Sequence, residues 1–134
     1  MSGKSRAERL ARVRDVQEKM RQLEEWRLGE LVREETRLLE NERELLETLG
    51  SQSLMHGLFL EGKAAALRRN DLALRETRER EAVAREKVQK AQATEKRIER
   101  AADKAGASER AEAERADLLL ALEDHLAARA ASFE

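Results

Sequence analysis

The residues Leu74, Thr77, Glu81, Ala84, Val88, Ala91, Glu95, Ile98, Ala102 and Ala105 follow one another by steps of three or four without exception. A spacing that averages 3.5 residues keeps one face of a helix turned toward a partner helix and predicts left-handed supercoiling. No proline occurs among the 134 residues, so nothing of that kind interrupts this helix or any other. Alanine at many of these positions permits close approach but buries little area, so the pairing is expected to be weak per turn.

A second helical stretch precedes it. Ser5 is placed to cap a helix, and Glu8, three residues later, completes a capping-box pattern. From there to Leu49 the only residue that disfavours a helix is Gly29, at a cost of about 1 kcal/mol that a long helix absorbs. Leu10, Val13, Val16, Met20 and Leu23, then Leu28, Leu31, Leu38, Leu45 and Leu49, read as an apolar stripe. Glu34, Glu35, Asn41 and Glu42 interrupt it, which argues against a long, regular zipper. Trp26 falls beside Leu23, and the size of its ring favours a place in the seam over an exposed anchor for a partner.

Three of the six glycines fall within 50–62, together with Ser51 and Ser53 and the apolar residues Leu54, Met55, Leu58, Phe59 and Leu60. This segment is the expected reversal of chain direction, with Gly50 as a helix C-cap. The fold class is therefore all-α. Two long antiparallel helices form a coiled-coil hairpin in one elongated domain spanning 1–134, with a first arm over 5–49, the turn over 50–62 and a second arm over 63–132. Gly106-Ala107-Ser108 is a candidate kink in the second arm. A pivot near residue 56 sets position 1 opposite about position 111, and the first arm spans roughly 65 Å at 1.5 Å per residue. Residues beyond about 111 then overhang the first arm. Leu119, Leu122, Leu126, Ala130 and Phe133 share one face of that overhang, and an apolar helix face without an intramolecular partner predicts another protein.

Composition narrows the function. Charged residues make up 41% of the chain and aromatics 2%, too polar a mixture to wrap around a globular core but suited to thin helical pairs. High charge also marks disordered chains; helical spacing, 40% hydrophobic residues and the lack of proline argue against that reading. The charges nearly cancel, 27 basic against 28 acidic, and both signs are interleaved, so no nucleic-acid partner is expected. No stretch approaches the ~18 apolar residues of a membrane span, the N-terminus lacks a signal-peptide core, and there is no cysteine. Those features point to a cytoplasmic protein without direct membrane insertion. His56 and His125 stand apart in no metal-ligand spacing, and no Gly-rich phosphate loop is present. Carboxylate pairs are those of a solvated helix surface. The expectation is a protein that is not an enzyme and has no catalytic, metal or cofactor site.

The arrangement resembles the FliJ/YscO family, stalk proteins of flagellar and virulence type III secretion export apparatuses. The resemblance covers most of the chain: a charged first helix, a mid-chain turn with scattered apolar residues, and a charged second helix. It ends in a basic-rich stretch, Glu95-Lys96-Arg97-Ile98-Glu99-Arg100, followed by a short acidic-apolar element, Leu122-Glu123-Asp124-His125-Leu126-Ala127-Ala128-Arg129. Gly106-Ala107-Ser108 and the alanine-rich seam depart from the family pattern. The resemblance implies a coiled coil like that of a rotary ATPase central stalk, whose two chain ends enter the pore of a hexameric export ATPase. It also implies contacts with an export-gate membrane protein and with export chaperones, which would hold the protein at the inner membrane. On that reading Leu118, Leu119, Leu122, Leu126 and Arg129 face the ATPase, while Phe59, Leu60, Ala64 and Leu67 serve the export gate or chaperones. The alternative is a generic coiled-coil scaffold or adaptor whose leucine face pairs with a second copy as a homodimer. A granule-coating amphipathic protein is a third class, disfavoured by the dense charge between Arg75 and Arg100.

Overall fold

A computed structural model describes residues 5–50 and 60–133. Among them the secondary structure is two α-helices, α1 (Arg6–Leu49) and α2 (Leu60–Ala131), with no strand. The start of α1 is built as its sequence predicts: the Glu8 backbone N–H donates to Ser5 Oγ at 3.1 Å, and the Arg9 N–H donates to the Ser5 carbonyl at 3.0 Å. Ser5→Ala is expected to remove the first of these bonds and cost about 1 kcal/mol, read as a lower midpoint in thermal melts followed by circular dichroism. At the other end the Gly50 N–H still bonds to the Leu46 carbonyl at 3.1 Å, and no described glycine has positive φ. Gly50 thus closes α1 without a left-handed cap. Most of the expected turn, 51–59 with Phe59, lies outside the described residues. Helix α2 begins at Leu60, inside the segment read as turn, and continues through Gly106-Ala107-Ser108 without a break. A Cβ at Gly106 would meet nothing within 4 Å, so this glycine answers no steric demand and the helix bonds around it prevail.

Two compact units are distinguished, Lys19–Ala93 and the pair Met1–Glu18 with Thr94–Glu134. In the first, cross-helix contacts fix an antiparallel register. Asn41 Nδ2 donates to Asn70 Oδ1 at 2.8 Å, and Asn70 Nδ2 donates to the Leu38 carbonyl at 2.9 Å. Arg78 Nε lies 3.6 Å from Glu35 Oε2, and Gln92 Nε2 donates to Glu25 Oε1 at 3.4 Å. These contacts set Asn70 beside the stretch of α1 from Leu38 to Asn41 and Arg78 beside Glu35. Buried residues of the unit are Asn70, Leu74, Thr77, Glu81, Ala84 and Val88, all on α2. Helix α1 contributes none, because its long seam side chains lie over short ones on α2 and keep their tips in water. Asn70 is satisfied on both sides of its amide, the kind of buried polar pair that selects one register over a slipped one.

In the second unit the Ala7 N–H donates to Glu109 Oε1 at 3.1 Å. Arg6 lies along the stretch of α2 from Ala101 to Glu112. Ala102 is buried here, with Ile98, Ala101 and Ala105 partly covered.

The least exposed residues of α2 reproduce the series from Leu74 to Ala105. Helix α1 does not follow its expected stripe. Val13, Val16, Met20 and Leu23 are exposed, and Trp26 is 60% exposed, so it is not a seam residue. The partly covered line runs instead through Leu10, Arg14, Gln17, Arg21, Glu24, Leu28, Leu31, Glu35, Leu38, Glu42, Leu45 and Leu49. Its steps are regular fours and threes, and Glu35 and Glu42, two of the residues read as interruptions, are members of the line.

Candidate interaction surface

The leucine-rich end of α2 is a helix with no helix beside it. From Glu112 to Phe133 every residue is exposed, including Leu118, Leu119, Leu120, Leu122 and Leu126, with Phe133 at 80%. Covering stops just past Glu109, where the first turn of α1 makes its contact. The segment is helical because it lacks helix breakers and carries many strong helix formers. Its seam register continues: after Ala102, Ala105 and Glu109, steps of three and four pass Glu112 and reach Ala116, Leu119, Glu123, Leu126, Ala130 and Phe133. Leu122 and Arg129 flank that line, while Leu118 lies a turn before Leu122 on the outer edge. Leu119, Leu122, Leu126 and Arg129 are thus brought to one broad face, with Leu118 at its margin. Leu120, on the opposite flank, belongs to the same face; the run Leu118-Leu119-Leu120 was its signal in the sequence.

The second expected set fares differently. Leu60 is exposed, but Ala64 and Leu67 are partly covered. Leu67 stands on the seam register of α2, so its partly covered side chain is not a free surface. Phe59 lies outside the described residues.

Charge on the terminal segment is lopsided. Glu112, Glu114, Asp117, Glu123 and Asp124 oppose only Arg115 and Arg129, although the whole chain is nearly neutral. Elsewhere the charges are tied into ion pairs along each helix, such as Arg21–Glu25 at 3.0 Å, Asp71–Arg75 at 3.0 Å and Glu86–Lys90 at 3.2 Å, with Glu30–Arg33 and Glu34–Arg37 likewise joined. Each is worth roughly 0.2–0.5 kcal/mol at such exposed positions.

One carboxyl departs from this solvated pattern. Glu81 is 3% exposed, its Oε1 has no hydrogen-bond partner, and it faces Glu35 across the seam. Burial first, then the hydrogen bond to Glu35 and the Glu35 charge, push the Glu81 pKa above its ordinary value; Arg85 and Arg78 pull weakly the other way. A carboxyl pair in a seam can hold a proton between its members. The acids around it are spread along the helix faces, however, and among the described residues no group of three or more His, Cys, Asp or Glu is placed to hold a metal. An open groove of about 540 Å³ nearby is lined by Leu31, Val83 and Ala84 together with Arg27, Arg80 and Lys87. No helix among the described residues is long and apolar enough to cross a membrane. No family model, curated protein or solved structure matches the chain.

Proposed function

We propose that this chain is a non-catalytic adaptor that presents the terminal helix of α2 to another protein, acting as a stalk of the FliJ/YscO kind in a type III export apparatus. The observation that carries the adaptor reading is the exposure of Leu119, Leu122 and Leu126 on one helix face beyond the end of α1. A helix of this kind docks by laying its apolar face into a groove, with residues at i, i+3 and i+7 as anchors. The acidic flanks of the segment suit a partner surface rich in Lys and Arg. The resemblance of sequence pattern supplies the partner: a hexameric export ATPase whose pore receives the chain ends, with the export gate and its chaperones as further contacts. In that role the protein works in the cytoplasm, at the inner membrane through the apparatus.

The test is capture of a purified type III export ATPase by the full chain, followed by ATPase assays with and without it. Binding and a changed rate are expected, and the double variant Leu119→Asp/Leu126→Asp is expected to weaken capture at least tenfold. No capture and no change in rate would reject the export-stalk reading in favour of a generic scaffold.

A further inference from the structure

We propose that two copies of this chain pair through their terminal segments, antiparallel and end to end, each segment continuing the seam of the other copy where its own α1 ends. Independently of the export-stalk reading, the line covered by α1 at Ala102 and Ala105 runs on through Glu109 and Glu112 to Ala116, Leu119, Glu123, Leu126, Ala130 and Phe133, and from Glu112 onward it is exposed. A face with that spacing is completed by an antiparallel helix that starts where α1 stops. The exposed segment is itself a helix of the length required, so a two-fold axis near Asp124–His125 lets each copy fill the stretch the other leaves open.

Side-chain sizes agree with this self-pairing at every layer. Leu119 comes level with Ala130 of the second copy, Phe133 with Ala116 of the second copy, and Leu126 with Glu123 of the second copy. Each layer sets a large side chain against a small one or against a carboxylate whose stem can lie along the leucine while its head reaches water. On the flanks Leu120 meets Ala127 of the second copy and Leu122 meets the stem of Arg129 of the second copy, so Asp117 and Asp124 stay outside the contact. Phe133 of the second copy reaches Ala116, beyond the contact of Ala7 with Glu109 near the end of the covered stretch.

Charge sets a signature that separates this pairing from docking on a basic partner. Five carboxylates face two arginines on each segment, so like charges oppose the pairing and added salt tightens it by screening them. Docking on a basic surface would weaken with salt instead.

The test uses the purified full chain with no other protein present. Sedimentation velocity across low to high micromolar concentration is expected to show a monomer–dimer equilibrium that shifts toward dimer with salt and is lost in Leu126→Asp. The chain has no cysteine, so Ala116→Cys and Phe133→Cys chains can be treated with a short bismaleimide. The mixture is expected to cross-link, and each variant alone is not, because like positions lie about 25 Å apart in the antiparallel pair. A monomer at every concentration, a dimer that salt dissociates, or cross-linking of either variant with itself would overturn the proposal. The pairing uses the face that would dock on an export ATPase, so the paired and ATPase-bound chains are alternative states, and ATPase capture is read in its own assay.

Discussion

Leu74→Ala is expected to destabilise the hairpin by about 2–4 kcal/mol, whereas Leu23→Ala is expected to change it by less than about 0.5 kcal/mol. Sequence pattern alone treats the two leucines alike, as members of apolar stripes at helical spacing. In the structure Leu74 is buried, while Leu23 is exposed on the flank of α1. The only other buried apolar residues described are Ala84, Val88 and Ala102, two of them alanines. Leu74 therefore holds a large share of the apolar area that the seam removes from water. Domains retain only about 5–15 kcal/mol of net stability, and a seam this thin belongs at the low end of that range. Thermal and urea melts followed by circular dichroism at 222 nm check both variants. Equal losses from the two leucines would return the seam to the line through Val13, Val16, Met20 and Leu23.

Glu81→Gln is expected to raise the melting temperature at neutral pH and to flatten its dependence on pH. The Glu81 carboxyl titrates above its ordinary value of 4.5 in the folded chain, chiefly because burial disfavours its charged form. Between that ordinary value and the raised one, the folded state binds more proton than the unfolded state. The stability contributed by protonated Glu81 is therefore present in full below the ordinary value and is lost as pH rises through the raised one. Acidification from neutrality toward the ordinary carboxylate range is expected to stabilise the wild-type hairpin, before protonation of the surface ion pairs reverses the trend at lower pH. Glutamine keeps the shape, donates an N–H to Glu35 and has no charge to lose. Its gain at neutral pH is about 1–3 kcal/mol, the cost of holding a buried polar group without full compensation. Melts across that window decide the matter: a wild-type midpoint that falls steadily on acidification would show that Glu81 does not hold its proton in the folded state.

The terminal segment was legible because its evidence is local. Five leucines between 118 and 126, spaced by helical steps and lying beyond the reach of α1, mark an uncovered face in the sequence and in the structure alike. The Glu35–Glu81 pair was not legible, although Glu81 was placed on the seam. That a second carboxylate faces it depends on register, and a slip of one heptad toward the start of α1 would have set Leu28 there.

The same distinction separates the two helices. Helix α2 presents a single line with the 3.5-residue period, so its buried face followed from sequence alone. Helix α1 carries two lines. Val13, Val16, Met20 and Leu23 form one, but continued at the same spacing it meets Arg27, Glu30, Glu34, Arg37, Asn41 and Glu44. Leu28, Leu31, Leu38, Leu45 and Leu49 form the other, and continued toward the N-terminus it meets Glu24, Arg21, Gln17 and Arg14 before Leu10. One continuous helix can turn only one line toward its partner, and only pairing with α2 decides between them. The five leucines win because they bury more apolar area along the helix than the four residues near its start. Local pattern thus determined that there are two helices, where α1 begins and which face of α2 is covered. Tertiary pairing decided which face of α1 is covered, and so left Met20, Leu23 and Trp26 in solvent and set Glu81 against Glu35.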